Sequence, residues 1–120
     1  RGFGPQVMQA AQTHGTARLG IKAFVRGSWP QGVSRQQQPW WYQPTEAREE
    51  ADLALRFALS LDLTAAVSPG LPHLLRLALE IADRFTPLTP EEEARLQALS
   101  QQITPLFPYA KPEAEEERDA

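Results

Sequence analysis

The sequence offers few residues suited to catalysis. It contains no cysteine, which excludes thiolate nucleophiles and thiolate metal sites, and its two histidines, His14 and His73, lie far apart along the chain. The consecutive Glu91, Glu92 and Glu93 stand at a predicted helix start, where carboxylates complement the helix dipole instead of forming an acid–base pair. No GxSxG, P-loop or GxGxxG motif is present. We therefore predict no cysteine nucleophile, no carboxylate acid–base pair at residues 91–93 and no metal site in this chain.

Basic residues are segregated from acidic ones along the sequence. The first 45 residues carry five basic side chains and no Asp or Glu, whereas the remaining 75 have a net charge of −8. Lys22 is notable among the five because it interrupts an apolar stretch, where a buried ammonium group is costly without an anion. This division predicts an anionic ligand near the first segment. Five charges over 45 residues are too few for a nucleic-acid-binding surface.

Residues 26–44 show no helical or strand periodicity but carry four large aromatic side chains, Trp29, Trp40, Trp41 and Tyr42. A connection of this length is uncommon inside a compact domain and is usually functional or disordered. Three consecutive aromatic residues argue against disorder. These side chains either line a substrate pocket or pack the connection onto the fold, and the sequence leaves both alternatives open.

Two short apolar strands, at residues 19–25 and 63–67, alternate with helices. Helices are predicted over residues 4–14, 46–61, 72–85 and 90–103. Thr45 is expected to cap the second helix, and Thr89 and Glu92 form a capping box at the start of the last. This order favours an α/β fold with a parallel sheet and outer helices. Since two strands do not form a stable parallel sheet alone, either copies of the chain assemble or the chain is part of a larger α/β protein.

Length and composition are those of one globular domain. The chain has 120 residues, 42% of them hydrophobic and 22% charged. It has no apolar run long enough to span a membrane and no signal-type stretch, and the absence of cysteine fits a reducing compartment. We therefore predict a cytoplasmic protein, folded over residues 1–107 and ending in an acidic, disordered tail over residues 108–120. Because the chain begins with Arg instead of Met, we expect that an upstream portion is missing.

Several segments of the sequence resemble a known family in the same order and with similar spacing. They read GFGP at residues 2–5, LGIKA at 19–23, WYQP at 41–44, EADLALRFALS at 50–60, TAAVSPG at 64–70 and LTPEE at 88–92. Together they resemble the C-terminal part of the aldo/keto reductases, over residues 2–107. The resemblance is greatest to bacterial members in which the penultimate barrel strand reads Ile-Lys-Ala.

The resemblance implies that the chain is the C-terminal part of a (β/α)₈ TIM barrel, contributing about two parallel strands, the seventh and eighth, with flanking helices. It also implies an NADP(H)-dependent hydride transfer between nicotinamide and a small carbonyl or alcohol substrate, with NAD(H) not excluded. The family's catalytic Asp, Tyr, Lys and His lie in the N-terminal half. None of them is assigned here.

The cofactor of this family lies across the carboxyl ends of the last strands, which implies cofactor-binding residues after both predicted strands. They are Ile21, Lys22, Ala23, Phe24, Arg26, Ser68, Gly70, His73 and Arg76. Ile21 occupies the position where many members carry an aromatic residue that stacks on nicotinamide. Trp29, Trp40, Trp41 and Tyr42 correspond to the loop that flanks the substrate pocket.

Two other functions remain open at the level of sequence. The chain could be a non-catalytic half-barrel binding module that self-associates to cover its sheet edges and uses the aromatic loop to hold a partner. It could also be a pseudo-enzyme that binds nucleotide without turnover. Neither interpretation requires nucleic acid or a membrane as a partner.

Overall fold

The computed structural model describes residues 4–34 and 40–107. The predicted acidic tail at residues 108–120 lies outside the described residues. The elements, in chain order, are α1 (Gly4–Thr13), β1 (Leu19–Gly20), β2 (Val25–Ser28), β3 (Tyr42–Pro44), α2 (Arg48–Ser60), β4 (Ala65–Ala66), α3 (Pro72–Asp83) and α4 (Pro90–Ser100). The fold is therefore mixed α/β, with four helices and four short strands in the described ranges.

The strands β1 and β4 form a parallel pair, as the sequence predicts. Leu19 is opposite Ala65 and Gly20 is opposite Ala66. The pair is extended on both sides by backbone hydrogen bonds, in which Thr64 donates to the carbonyl oxygen of Arg18 at 2.8 Å and Val67 donates to that of Gly20 at 2.7 Å. Both strands are shorter than the apolar runs that predicted them.

The prediction of one continuous strand over residues 19–25 is wrong. The chain leaves the parallel pair after Gly20, and Lys22 adopts a left-handed backbone with φ of 65°. The amide of Val25 then donates to the carbonyl oxygen of Lys22 at 3.1 Å, which closes a tight turn. A single left-handed residue in an otherwise apolar run leaves no pattern by which sequence periodicity would reveal the break.

The strands β2 and β3 form an antiparallel ribbon at the two ends of residues 26–44, a segment without strand periodicity in its sequence. Val25 pairs with Pro44, Gly27 with Gln43 and Ser28 with Tyr42, with a bulge between Val25 and Gly27. The prediction of no regular structure in residues 26–44 is therefore wrong for both ends of that segment. A glycine, a proline and a bulge remove the alternation that normally identifies a strand.

The helices follow the predictions more closely. The capping box of α4 is confirmed, since the Thr89 side chain accepts from the Glu92 amide and a Glu92 carboxylate oxygen accepts from the Thr89 amide at 2.9 Å. Thr45, however, does not cap α2. The N-cap is Ala47, and Thr45 is buried with its amide donating to the carbonyl oxygen of Phe24 at 2.8 Å. Thr45 extends the ribbon instead.

The buried core lies between the two central helices and the turn that follows β1. It consists of Phe24, Ala51, Leu55, Leu74 and Ile81. Helix α1 contributes none of the buried residues. No helix in residues 4–34 and 40–107 is long and apolar enough to cross a membrane.

Arg56 connects α2 to α4 and to the segment that precedes it. Its Nε donates to the carbonyl oxygen of Thr86 at 2.8 Å and its Nη2 to that of Pro87 at 2.9 Å. Its Nη1 and Nη2 also donate to Oε1 and Oε2 of Glu92, at 2.8 and 2.7 Å. Nη1 donates in addition to Oδ2 of Asp52 at 2.9 Å. All five N–H donors of the guanidinium are thus satisfied, although the residue is only 8% exposed.

We predict that Arg56→Lys lowers the free energy of unfolding by roughly 1–3 kcal/mol. The lysine ammonium group has three N–H donors, against five in the planar guanidinium. Some of the carbonyl and carboxylate oxygens around residue 56 would therefore lose their hydrogen-bond donor. Urea unfolding followed by helical circular dichroism measures the loss. The matched control is Arg95→Lys, because the pair between Arg95 and Glu49 is exposed and is worth at most about 1 kcal/mol. Equal effects of the two substitutions would contradict the prediction.

The same ion pair predicts a pH dependence of stability. The side-chain hydrogen bonds from Arg56, together with the bond from the Thr89 amide, lower the pKa of Glu92 from 4.5 to about 2. Because the folded-state pKa is the lower one, the stabilisation is complete above about pH 4.5 and is lost as the pH falls towards 2.

Glu92→Gln removes the charge but keeps a side chain that suits the capping box. We expect the difference in urea midpoint between the natural protein and Glu92→Gln to be largest above pH 5 and to shrink steadily down to pH 2. A difference that stays constant over this range would show that the charge of Glu92 contributes nothing.

Candidate functional site

A cavity of about 230 Å³ lies where the chain leaves the two parallel strands. Its walls come from three segments: the turn after β1, the segment that follows β4, and the aromatic start of β3. The lining residues are Ile21, Lys22, Ala23, Phe24, Val25, Trp40, Tyr42, Pro44, Val67, Ser68, Pro69, Gly70, Leu71 and Leu74. Ligands of α/β proteins bind at this location, outside the carboxyl ends of neighbouring parallel strands.

The parallel pairing itself brings the two predicted cofactor segments together. Gly20 is opposite Ala66, so residues 21–24 and 67–70 leave the sheet side by side at the same edge. Helix α3 begins two residues later, at Pro72, and its N-cap Leu71 supplies no side-chain hydrogen bond to the first turn. The positive end of the α3 dipole therefore lies beside the cavity.

Lys22 is the cationic group of the cavity wall. Its ammonium nitrogen lies 5.6 Å from the centroid of the Trp41 ring and 5.7 Å from that of Tyr42, within the range of cation–π attraction. Within the parts of the chain that the structure describes, no carboxylate forms an ion pair with Lys22. The aromatic rings hold the ammonium group without neutralising its charge.

Trp40 forms another part of the cavity wall, and the position of its ring requires a glycine at residue 70. Its ring stacks on Tyr42, with centroids 6.0 Å apart, and its edge lies so close to Gly70 that a Cβ atom there would be 2.7 Å from Cη2 of the indole. The Trp40 carbonyl oxygen accepts a hydrogen bond from Nε1 of Trp29 at 2.9 Å. The Tyr42 ring and the Gly70 backbone therefore flank the indole, and Gly70 is the residue that leaves room for it.

Eight of the thirteen residues that the sequence assigned to the site line this cavity. From the cofactor set these are Ile21, Lys22, Ala23, Phe24, Ser68 and Gly70, and from the substrate set Trp40 and Tyr42. Phe24 is also a core residue, buried to 4% exposure.

The other five assigned residues lie elsewhere. Arg26 forms an ion pair with Glu50, and the Nε2 atom of His73 lies 3.3 Å from a carboxylate oxygen of Glu46. Arg76 is exposed on α3. Trp29 lies on the other face of the ribbon, and Trp41 is exposed, with its ring edge against Tyr42 and Phe107. The structure does not bring these five into the cavity.

Sequence reasoning missed six residues of the wall: Val25, Pro44, Val67, Pro69, Leu71 and Leu74. Pro44 reaches the cavity through the ribbon, which the sequence did not indicate. The sequence predicts Val67 in a strand and Leu74 on the apolar face of a helix. An apolar side chain suits a cavity wall and a protein core equally well, so its type does not distinguish the two.

The described residues of the cavity offer a ligand one ammonium group, one hydroxyl and one phenol, and the ammonium and phenol groups are also able to transfer a proton. In the part of the chain that the structure describes, the polar side-chain groups of the cavity are the Lys22 ammonium, the Ser68 hydroxyl and the Tyr42 phenol, and no carboxylate or imidazole lines it. Among residues 4–34 and 40–107, no three His, Cys, Asp or Glu residues are grouped as metal ligands would be. The arrangement suits a ligand with an apolar ring and an anionic group.

Comparison of the chain with protein-family models, with curated proteins and with solved structures finds no match in any of the three. Function must therefore be inferred from the residues and the cavity themselves.

Proposed function

We propose that this chain forms the dinucleotide-binding end of an NAD(P)H-dependent aldo/keto reductase, as the C-terminal part of its barrel. The observation that supports this most directly is the meeting of residues 21–24 and 67–70 around one cavity at the carboxyl ends of adjacent parallel strands. These are the two segments whose sequence resembles the family's cofactor-binding strands, and barrel enzymes bind phosphate groups at this end.

The residues of the cavity fit one end of a nicotinamide dinucleotide. At about 230 Å³ the cavity is smaller than the roughly 300–1,000 Å³ of most ligand pockets, so it takes one planar ring and leaves the phosphates outside. Ile21, 64% exposed at the mouth, offers an aliphatic surface to such a ring. Lys22 and the first turn of α3 supply positive charge for the pyrophosphate, and Ser68 supplies a hydroxyl donor.

The bound cofactor would supply the hydride that is exchanged with a carbonyl or alcohol substrate. This chain's own residues would bind and orient the dinucleotide and exclude water from its ring. Trp40 and Tyr42 are the two aromatic residues of the wall that would face a small substrate. By the resemblance, the proton of the reaction would come from the family's catalytic Tyr, which belongs to the N-terminal half of the barrel.

Titration of the chain with NADPH and NADH tests the proposal. We expect saturable quenching of tryptophan fluorescence, because Trp40 forms one wall of the cavity. Lys22→Met should weaken binding of both dinucleotides about tenfold, since it removes a charge-assisted contact to phosphate. Gly70→Ala should also weaken binding, because its Cβ would displace the Trp40 ring.

The matched control is Arg84→Met, which removes an exposed positive charge at the far end of α3. We expect it to leave binding unchanged. Loss of affinity equal to that of Lys22→Met would show that only net charge matters, and absence of saturable quenching by either dinucleotide would refute the proposal.

A second candidate function is favoured by the exposed face of the parallel pair. Leu19 is 62% exposed and Val67 is 47% exposed, whereas Ala66, with the opposite orientation, packs against the core. Parallel sheets are normally covered on both faces, so this face requires either further strands of a larger protein or a second copy of the chain. The second case is the self-associating binding module.

Light scattering and the encoding DNA separate the two candidates. For the reductase we expect the reading frame upstream of Arg1 to encode strands that carry the family's Asp, Tyr, Lys and His, and the isolated chain to form no defined dimer. For the binding module we expect a monodisperse dimer with cooperative unfolding, and Leu19→Lys should then convert it to a monomer. A monodisperse dimer together with no such upstream sequence would exclude the reductase.

A further inference from the structure

A second cleft, of about 680 Å³, lies on the opposite face of the β2–β3 ribbon. Side chains alternate across a strand, and in β3 this alternation sends Tyr42 and Pro44 to the first cavity and Gln43 to the cleft. The other walls come from the loop after β2 and from the segment that follows α4. The lining residues are Arg26, Gly27, Ser28, Trp29, Pro30, Gln31, Gln43, Gln102, Ile103 and Thr104.

The cleft is built on a closely packed floor. Gly27 is buried, with φ of 151°, and a Cβ atom there would lie 2.6 Å from the carbonyl oxygen of Thr104. The segment after α4 therefore rests directly on the ribbon backbone. The Trp29 indole is oriented by its 2.9 Å hydrogen bond to the Trp40 carbonyl oxygen. Contacts within the chain thus position both walls, which reduces the entropy that binding would cost.

The polar side chains of the cleft are almost all neutral. Gln31, Gln43 and Gln102 contribute three carboxamides, and Ser28 and Thr104 contribute two hydroxyls. Each of these groups both donates and accepts hydrogen bonds. Among the lining residues that the structure describes, the one charged side chain is that of Arg26, which is ion-paired with Glu50. The described residues of the cleft therefore offer no unpaired charge with which to select an anion or a cation.

We propose that this cleft is a binding site for a neutral polyhydroxylated ligand, such as a hexose or a short oligosaccharide. A sugar hydroxyl is donor and acceptor at once, which matches the carboxamides and hydroxyls of the lining, and its apolar C–H face packs on an aromatic ring such as that of Trp29. The volume of the cleft falls within the usual range for small-molecule sites. The site is separate from the proposed dinucleotide site, because the ribbon lies between them.

Saturation-transfer NMR with the full chain, using D-glucose and maltose as neutral probes and D-glucuronate as an anionic one, tests this inference. We expect transfer to the neutral sugars, weaker transfer to glucuronate, and saturable binding of maltose. Gln102→Ala and Thr104→Val should each raise the Kd for maltose by about threefold to tenfold, the cost of one lost hydrogen bond. The control is Gln101→Ala, which removes a neighbouring exposed carboxamide that does not line the cleft.

Absence of transfer to both neutral sugars, or an equal effect of Gln101→Ala and Gln102→Ala, would overturn the inference. Equal transfer to glucuronate would show that the cleft does not select for neutral ligands and would overturn it as well. NADPH is expected not to displace maltose, because the two sites lie on opposite faces of the ribbon. Failure of NADPH binding with sugar binding intact would refute the reductase proposal alone.

Discussion

The buried guanidinium of Arg56 is the interaction that holds α4, and the segment before it, against α2. Its five donors are directed at two backbone carbonyls, at Asp52 on its own helix and at Glu92 on α4. An arginine side chain does not lose its proton in a protein. The buried guanidinium therefore needs these hydrogen-bond acceptors in the folded state. Because the guanidinium is planar and its donors have fixed directions, it selects the segment that packs against α2. Hydrophobic contacts alone are less directional and would select that segment less specifically.

The position of α2 in turn determines the geometry of the cavity. Ala51 and Leu55, on the same helix as Arg56, pack with Phe24 and Leu74 in the core. Phe24 lies in the turn after β1 and Leu74 in the first turn of α3, and both also line the cavity. A second cross-link acts at the other end of the sheet, where Arg18 binds Asp62 through two nitrogens at 2.6 and 3.0 Å. The entry to β1 and the exit from α2 are thereby held together.

The break in the chain at Lys22 explains why one ribbon serves two clefts. A strand that continued through residue 25 would have kept the chain in the parallel sheet. Instead, the left-handed conformation at Lys22 turns the chain away, and β2 pairs with β3 in the antiparallel direction. A two-stranded ribbon has two open faces, and its alternating side chains line the apolar cavity on one face and the neutral polar cleft on the other.

The sequence was sufficient for those features that follow from local chemistry. The Thr89–Glu92 capping box, the helix starts at Pro72 and Pro90 and the parallel pairing of two apolar runs were all predicted correctly. The ribbon and the Lys22 turn were not, because their stabilisation comes from distant partners, such as the Trp41 and Tyr42 rings around the Lys22 ammonium. Thr45 is a second example of a distant partner that the sequence did not reveal. It is suited to capping a helix, but its amide donates to the carbonyl oxygen of Phe24 and it extends the ribbon. The role of Arg56 was not predicted from the sequence, because its partners outside α2 are 30 to 36 residues away.

The parallel strands β1 and β4 are short because few contacts within the described residues stabilise them. Only two residues of each strand are paired, and the side chains of Leu19 and Ala65 on the outer face are exposed, while Ala66 on the inner face packs against the core. A parallel strand gains most of its stability from coverage on both faces and from a neighbour at each edge. With one face uncovered, the apolar runs at residues 19–25 and 63–67 carry more hydrophobic surface than the described contacts use. That surplus is the surface that either further strands of a larger protein or a second copy of the chain would bury.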